Sequence, residues 1–210
     1  MSTRPAISVC IPAYDMGGQG GRYLAHSFER LAAQDFTDFE VVVSDQSEGP
    51  AVAEACAAFA GRLAIRRVDF RAGPRQASAN CNNAMMHARG GLLKILFQDD
   101  FLCDDSALRQ VLDAYQATGR KWVLTGSAVT RDGETLERPM VPRWHDQIRF
   151  GRNTISSPSV LALEAGHDVW FDENLIWLMD ADMYQSCHAA FGAPAIVPAT
   201  LIANRLHEGR

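Results

Sequence analysis

The sequence of 210 residues lacks the features that mark several large classes of protein. No apolar run approaches the roughly 18 residues of a membrane-spanning helix. Pro5 and Pro12 interrupt the short apolar segment near the N-terminus, which does not fit a signal peptide. The five cysteines are widely spaced, odd in number and without a Cys-x-x-Cys pair, a pattern that predicts reduced thiols and no zinc site. We therefore expect a soluble, cytoplasmic protein.

Positive charge is not in excess either. The chain has 20 Lys and Arg against 25 Asp and Glu, a formal net charge of −5. General nucleic-acid binders present a basic face to the phosphates, so we predict no nucleic-acid partner. Five arginines do cluster along the chain, and we interpret them as a solvated surface from which one or two members could still contact a phosphate: Arg62, Arg66, Arg67, Arg71 and Arg75.

The sequence does have an alternation of strand and helix patterns. Strands are predicted near 6–11, 39–43, 63–68, 92–97, 122–130 and 159–163, with two short ones near 196 and 201–205. Helices are predicted around Leu24, Phe28 and Leu31, and near 51–60, 76–89, 106–118 and 178–190. This alternation is typical of βαβ units, so we predict an α/β protein with a mainly parallel central sheet.

The segment from Leu92 to Asp100 is the most informative. Its apolar run ends abruptly at Asp99 and Asp100, as expected of a buried strand that carries acidic groups at its carboxyl end. Ligands of open α/β sheets bind at such ends, and carboxylates there suit a hard cation. The alternative is that the two aspartates only begin the next helix, with Asp104, Asp105 or Ser106 as its cap.

Two other segments stand outside this alternation. The glycine-rich segment 16–21 lacks the Gly-Lys-Ser/Thr ending of a phosphate-binding loop, and we interpret it as a mobile connection. Periodicity fades across 137–157, where proline and aromatic residues occur among polar ones. We expect that stretch to face a substrate.

Five segments, taken in order, resemble motifs of the family 2 glycosyltransferases: Ile11–Asp15, Glu40–Ser47, Ala79–Asn80 with Asn83, Phe97–Asp100 and Leu178–Asp182. The resemblance implies the GT-A fold, a Rossmann-like three-layer α/β/α architecture. It implies a single domain over residues 1–210, with a nucleotide-sugar-binding part at 1–105 and an acceptor-binding part at 106–210.

The resemblance also implies an activity. It is the inverting transfer of a sugar from a nucleotide-diphosphate sugar, taken as UDP-linked, to an acceptor hydroxyl, with Mn²⁺ or Mg²⁺ as cofactor. Asp180 matches the segment that supplies the catalytic base, and Asp99 lies where the family's metal-binding Asp-x-Asp belongs. His207, in a segment that resembles a late Arg-x-His motif, is implied at the metal or diphosphate. Asp182 and Trp177 are the acceptor-binding candidates.

The residues implied at the nucleotide sugar are Pro12, Ala13, Tyr14, Asp15, Asp45, Asn80, Asp99 and Asp100. Asp45 would accept hydrogen bonds from the base or ribose, and Asp15 would lie near the ribose. At the family level, the resemblance suggests bacterial cell-surface polysaccharide synthesis. The acceptor would be a glycan or a lipid-linked sugar, and the enzyme would associate peripherally with the membrane.

The sequence departs from the family pattern at several positions, which keeps alternatives open. Phe97 replaces the first Asp of Asp-x-Asp, Asp15 replaces the usual Asn, and Met179 replaces the Glu that often precedes the base. A non-catalytic nucleotide-sugar-binding domain is therefore one alternative. A nucleotidyltransferase is another, although such an enzyme needs a basic residue after the first strand, where only Arg22 is near.

Overall fold

The structure is a computed structural model and describes residues 4–207. Its strands are β1 Ile7–Ala13, β2 Phe39–Asp45, β3 Ile65–Asp69, β4 Leu92–Ile95, β5 Phe101–Leu102, β6 Trp122–Thr130, β7 Glu137–Met140, β8 Leu161–Glu164 and β9 Ala195–Arg205. Its α-helices are α1 Gly20–Ala32, α2 Ala51–Phe59, α3 Ala77–Met86, α4 Ala107–Thr118 and α5 Met179–Phe191. Short 3₁₀ turns lie at Met16–Gly18, Asp146–Phe150 and Pro158–Val160.

All nine strands of the described part join one sheet in the order β3-β2-β1-β4-β8-β6-β9-β5, with β7 paired to β6. Strands β3, β2, β1 and β4 are parallel, which is the predicted parallel core. The second half of the chain adds antiparallel pairs, because β8 runs against both β4 and β6. The sheet is therefore mixed beyond its parallel β3-β2-β1-β4 part.

The strand order determines where the helices lie. The chain moves one way along the sheet from β1 to β2 to β3, then returns past β1 to β4. Because parallel crossovers are right-handed, α1 and α2 cover one face of the sheet and α3 covers the other. The order thus reverses between β1 and β4, which makes the carboxyl ends of these two strands the expected ligand site.

The apolar pattern explains why these elements form. All seven residues of β1 are buried, as are the last five of β2. Leu24, Phe28 and Leu31 of α1 are buried together in the core, as their helical spacing predicts.

Several boundaries differ from those predicted. Helix α4 begins at Ala107, with the short strand β5 between it and Asp99–Asp100, so the idea that these aspartates only begin the next helix is wrong. The predicted pair of short strands at the end is one strand, β9, whose pairing with β6 shifts register around Gly126. Part of the stretch at 137–157 forms β7 along the outside of β6.

Strand β4 carries a fully buried lysine in the middle of the core. The Lys94 Nζ donates to the carbonyls of Ile95 at 3.0 Å and Leu161 at 3.5 Å, and also to that of Ser159. Burial lowers the pKa of Lys94 to about 7, although the negative charge of Asp100 has the opposite, smaller effect. These bonds attach the turn at Pro158–Val160 to the central strand.

The bulge at Gly126 offers a stability prediction. A Cβ at this position would lie 2.6 Å from the Ala199 carbonyl oxygen and 2.7 Å from that of Pro198. We expect Gly126→Ala to destabilise the fold by about 1–3 kcal/mol, because β9 must move away from β6. Urea unfolding measures this, with Gly61→Ala as the control, since a Cβ there meets nothing within 4 Å. Equal effects of the two substitutions would contradict the prediction.

Within residues 4–207, no helix combines the length and the apolar character needed to cross a bilayer.

Candidate nucleotide-sugar site

A cavity of about 610 Å³ opens at the carboxyl ends of β1 and β4, where the strand order reverses. Five of the predicted nucleotide-sugar residues line it: Pro12, Tyr14, Asp15, Asn80 and Asp99. Sequence reasoning assigned no role to several other lining residues, among them Gln46, Gln76, Gln98 and Ile176. Arg75, from the arginine cluster expected to offer one or two phosphate contacts, also lines the cavity.

Gln98 joins the two strand ends below the cavity. Its Oε1 accepts from the Tyr14 N–H at 2.6 Å, and its Nε2 donates to the carbonyls of Tyr14 at 3.0 Å and Gly20 at 3.1 Å. A Cβ on Gly20 would lie 2.1 Å from the Tyr14 oxygen, so glycine is required where α1 meets this junction. The only sequence signal for Gln98 was its place between Phe97 and Asp99.

Asp15 and Asn80 shape two walls of the cavity. The Asp15 carboxylate accepts from the backbone N–H of Glu48 at 2.7 Å and of Gly49 at 3.3 Å, which holds the loop after β2. Asn80 Nδ2 donates to the Ala13 carbonyl at 3.0 Å. Its Oδ1 is buried and finds no partner among the described residues.

Three predicted residues lie behind the cavity wall. Ala13 is fully buried and contributes its carbonyl to the contact with Asn80. Asp45 is buried, with Oδ1 accepting from the Ser47 N–H at 2.8 Å and Oδ2 paired to Arg67 at 2.7 Å. Asp100 is buried as well, and burial, then the neighbouring Asp99 carboxylate, raise its pKa.

Asp99 and His207 come together from distant parts of the chain. His207 Nε2 lies 2.7 Å from Asp99 Oδ2, and the His207 ring packs against Tyr23 with the ring centroids 5.1 Å apart. The described residues contain no cluster of three or more His, Cys, Asp or Glu side chains suited to a metal ion. One carboxylate and one imidazole still fit a divalent cation whose other ligands are diphosphate oxygens and water.

Asp180 is the second residue of α5, away from the cavity lining. Its Oδ1 accepts from the Ala181 N–H at 2.8 Å, and its Oδ2 accepts from Asn153 Nδ2. Burial raises the pKa of the Asp180 carboxyl, against these hydrogen bonds, which lower it. For Asp182, burial and then the Asp172 carboxylate raise the pKa.

The segment before α5 presents apolar side chains to solvent. Ile176 is 73% exposed and also lines the cavity, and Trp177 is 83% exposed. By contrast, Trp144 stacks on His188 with centroids 3.8 Å apart. Trp177, the tryptophan expected to bind the acceptor, is therefore open to solvent next to the cavity residue Ile176.

The match to known families decides the assignment. The family model described as glycosyl transferase family 2 matches residues 8–177 of this chain. The chain belongs to glycosyl transferase family 2. The family predicted from the five motifs is thus confirmed.

Solved glycosyltransferase structures share the fold. TarS of S. aureus, residues 1–349 in complex with UDP-GlcNAc, superimposes with a TM-score of 0.78 at 18% identity, covering 97% of this chain and 59% of that one. The mannosyltransferase PcManGT from Pyrobaculum calidifontis, in complex with GDP-Man and Mn²⁺, gives a TM-score of 0.70 at 18% identity, covering 99% and 59%. These similarities confirm the predicted GT-A-type α/β fold.

The curated relatives are longer proteins. The uncharacterized protein y4gI of Sinorhizobium fredii is 28% identical over 188 residues, which are 87% of this chain and 20% of that protein. The uncharacterized protein MT1568 of Mycobacterium tuberculosis is 36% identical over 102 residues, 47% of this chain and 29% of that protein. This family 2 chain therefore spans less than a third of either relative.

The family motifs did not include the segment 153–159, which the structure places between Asp180 and Asp100. At its start Asn153 donates to Asp180, and at its end Ser159 Oγ donates to Asp100 Oδ2 at 2.6 Å. Between them Ser156 has a φ of 112°, a conformation that is rare without glycine. In the sequence, the feature that could have drawn attention to this segment is its polar run Asn-Thr-Ile-Ser-Ser-Pro-Ser.

Proposed function

We propose that this chain transfers a sugar from a nucleotide-diphosphate sugar, UDP-linked, to an acceptor hydroxyl with inversion. The observation that carries the proposal is the cavity at the ends of β1 and β4, with Asp99 in its wall and His207 beside Asp99. A cavity at the reversal of strand order suits a nucleotide. A carboxylate–imidazole pair suits the cation that accompanies its diphosphate.

The donor would occupy the cavity, with Pro12, Tyr14 and Asp15 on the β1 side and Asn80 on the α3 side. The unpaired Asn80 oxygen is an acceptor for a ligand N–H or O–H. Complexes of TarS with UDP-GlcNAc and of PcManGT with GDP-Man support a nucleotide-sugar donor on this fold. In this proposal Ala13, Asp45 and Asp100 support the site from behind.

Asp99 and His207 would hold Mn²⁺ or Mg²⁺. When bound, such a cation supplies positive charge that stabilises the departing diphosphate. The Mn²⁺ in the PcManGT complex supports this assignment. Asp99 would contribute an oxygen ligand and His207 a nitrogen ligand. Their place in the fold marks the end of the cavity at which the diphosphate would bind.

Asp180 would act as the general base that takes the proton from the acceptor hydroxyl. Its position at the start of α5, with Asn153 holding one carboxylate oxygen, fixes its direction. A raised pKa suits a base, because it strengthens the pull on a hydroxyl proton. Inversion follows if this base activates the acceptor on the face opposite the leaving group.

The acceptor would bind along residues 106–210, while residues 1–105 bind the donor within one domain. Trp177 offers an exposed aromatic face, and Asp182 lies two residues beyond Asp180 on the same helix. We propose a glycan or lipid-linked acceptor and a role in bacterial cell-surface polysaccharide synthesis. The protein would be cytoplasmic and peripherally associated with the membrane.

A thermal-unfolding titration tests the donor site. UDP, GDP, CDP and dTDP would each be added at saturating concentration, with and without Mn²⁺. Because a ligand that binds only the folded state raises its stability, we expect UDP with Mn²⁺ to raise the midpoint most. A chain whose midpoint responds to none of the four nucleotides would contradict the proposal.

A further inference from the structure

Asp100 is buried, 5% exposed, and both of its carboxylate oxygens face protein groups. Its Oδ1 accepts from the Arg205 backbone N–H at 3.0 Å. Its Oδ2 accepts from Ser159 Oγ at 2.6 Å, with Ser157 Oγ 3.3 Å away. Asp100 does not line the cavity, although Asp99 beside it does. Its side chain therefore points away from the proposed donor site.

One partner of Asp100, Arg205, connects it to the two proposed metal ligands. Arg205 lies two residues before His207, and its Nε donates to the Asp99 carbonyl at 3.2 Å. The end of β9 is thus attached to residues 99 and 100 by two hydrogen bonds from one residue. They connect the backbone that carries Asp99 to the strand end that leads to His207.

Ser159 holds the same loop from the other side. Its Oγ accepts from the Phe97 N–H at 2.9 Å while it donates to Asp100. Its own carbonyl accepts from the buried Lys94 Nζ on β4. The loop after β4 is therefore fixed between the central strand and the end of β9.

We propose that Asp100 is a positioning residue, which sets the separation of Asp99 and His207 through Arg205 and Ser159 and touches neither cation nor nucleotide. The inference rests on the proposed function, because it assigns a role relative to the cation of that site. It replaces the expectation from the motif that Asp100 binds the nucleotide sugar directly.

Two substitutions separate positioning from direct ligation. Asp100→Asn keeps an oxygen for the Arg205 N–H and places an N–H₂ group opposite Ser159 Oγ, which has a lone pair free to accept. If Asp100 were itself a ligand, the Asn variant would bind the cation more weakly, because a neutral amide oxygen is a weaker ligand than a carboxylate. Asp100→Ala removes all three hydrogen bonds to the carboxylate, from the Arg205 N–H, Ser159 Oγ and Ser157 Oγ.

The measurement is Mn²⁺ affinity in the presence of UDP, from the free Mn²⁺ signal in electron paramagnetic resonance. We expect Asp100→Asn to bind Mn²⁺ close to wild type and Asp100→Ala to bind about 10- to 100-fold more weakly, as found when residues that orient metal ligands are removed. An Asn variant as weak as the Ala variant would overturn the inference.

Ser159→Ala provides a second variant if Asp100→Ala fails to fold. It removes a partner of Asp100 without touching the carboxylate, and we expect about a 10-fold loss of Mn²⁺ affinity. Ser27→Ala is the matched control, because Ser27 is buried and its Oγ has no partner in the described part of the chain. Unchanged Mn²⁺ affinity in Ser159→Ala would count against positioning.

The wild-type result distinguishes this inference from the proposed function. If wild type binds UDP and Mn²⁺ but the Asn and Ala variants are equally weak, only the positioning role fails. If wild type binds no Mn²⁺ with UDP, the cation assignment of the proposed function fails and the positioning role fails with it.

Discussion

Asp180→Asn should lower the rate of UDP release from UDP-N-acetylglucosamine, with water as the acceptor, by about 10²- to 10⁴-fold. The amide keeps the size of the carboxylate and a hydrogen-bonding oxygen but cannot take a proton. Asp180 does not line the cavity, so the affinity for UDP should remain that of wild type. A coupled assay for released UDP measures the rate, and calorimetry measures the affinity.

The control for this substitution is Asp113→Asn, which changes an exposed carboxylate on α4. It should retain the wild-type rate. If Asp180→Asn also keeps that rate, Asp180 is not the base, and the alternative of a domain that binds nucleotide sugars without turnover gains support. A parallel loss of UDP affinity would instead assign Asp180 to donor binding.

The pH dependence of the same reaction follows from the burial of Asp180. Burial raises the pKa of this carboxyl, and a general base acts only when deprotonated. The rate should therefore fall as the pH is lowered through a value above that of an ordinary aspartate, about 3.9. Asn153 donates to the carboxylate and lowers its pKa, so Asn153→Ala should move the acid limb to still higher pH. A limb that moves to lower pH would contradict the assignment.

The second large effect is expected at Asp99. At a hundredfold excess over Kd, UDP with Mn²⁺ should stabilise wild type by about 2.7 kcal/mol, or about 5–10 °C for a chain of this size. Asp99→Ala should abolish the part of this shift that requires Mn²⁺, because it removes the only proposed carboxylate ligand. Asp99 lies in the cavity wall with its Oδ2 beside His207, the other proposed ligand.

Differential scanning fluorimetry with and without Mn²⁺ measures the shift, and Asp113→Ala serves as the control for loss of one carboxylate. The midpoint without ligand reports whether Asp99→Ala damages the fold itself. A full Mn²⁺-dependent shift in Asp99→Ala would remove Asp99 from the metal site.

Much of the first half of the chain could be predicted because its signals are local. A strand of apolar residues that ends in polar ones places those residues at the carboxyl edge of a parallel sheet, and this held for Tyr14, Asp15 and Asp99. The second half was harder. Strand β8 enters between β4 and β6 in the antiparallel direction, and nothing in its own residues shows which neighbours it will have.

Motifs and periodicity are properties of neighbouring residues, so they were enough to predict the family, the order of the first strands and helices, and the aspartate that follows β4. The resemblance implied His207 and Asp99 at one metal site, and the fold brings them together. The direction of Asp45 and Asp100, towards protein groups rather than the cavity, came from the tertiary contacts alone. Asp99 and His207 are 108 residues apart, and their contact depends on β9 lying beside β5 and β6. Side-chain direction at a strand end depends on such distant partners, which local pattern does not contain.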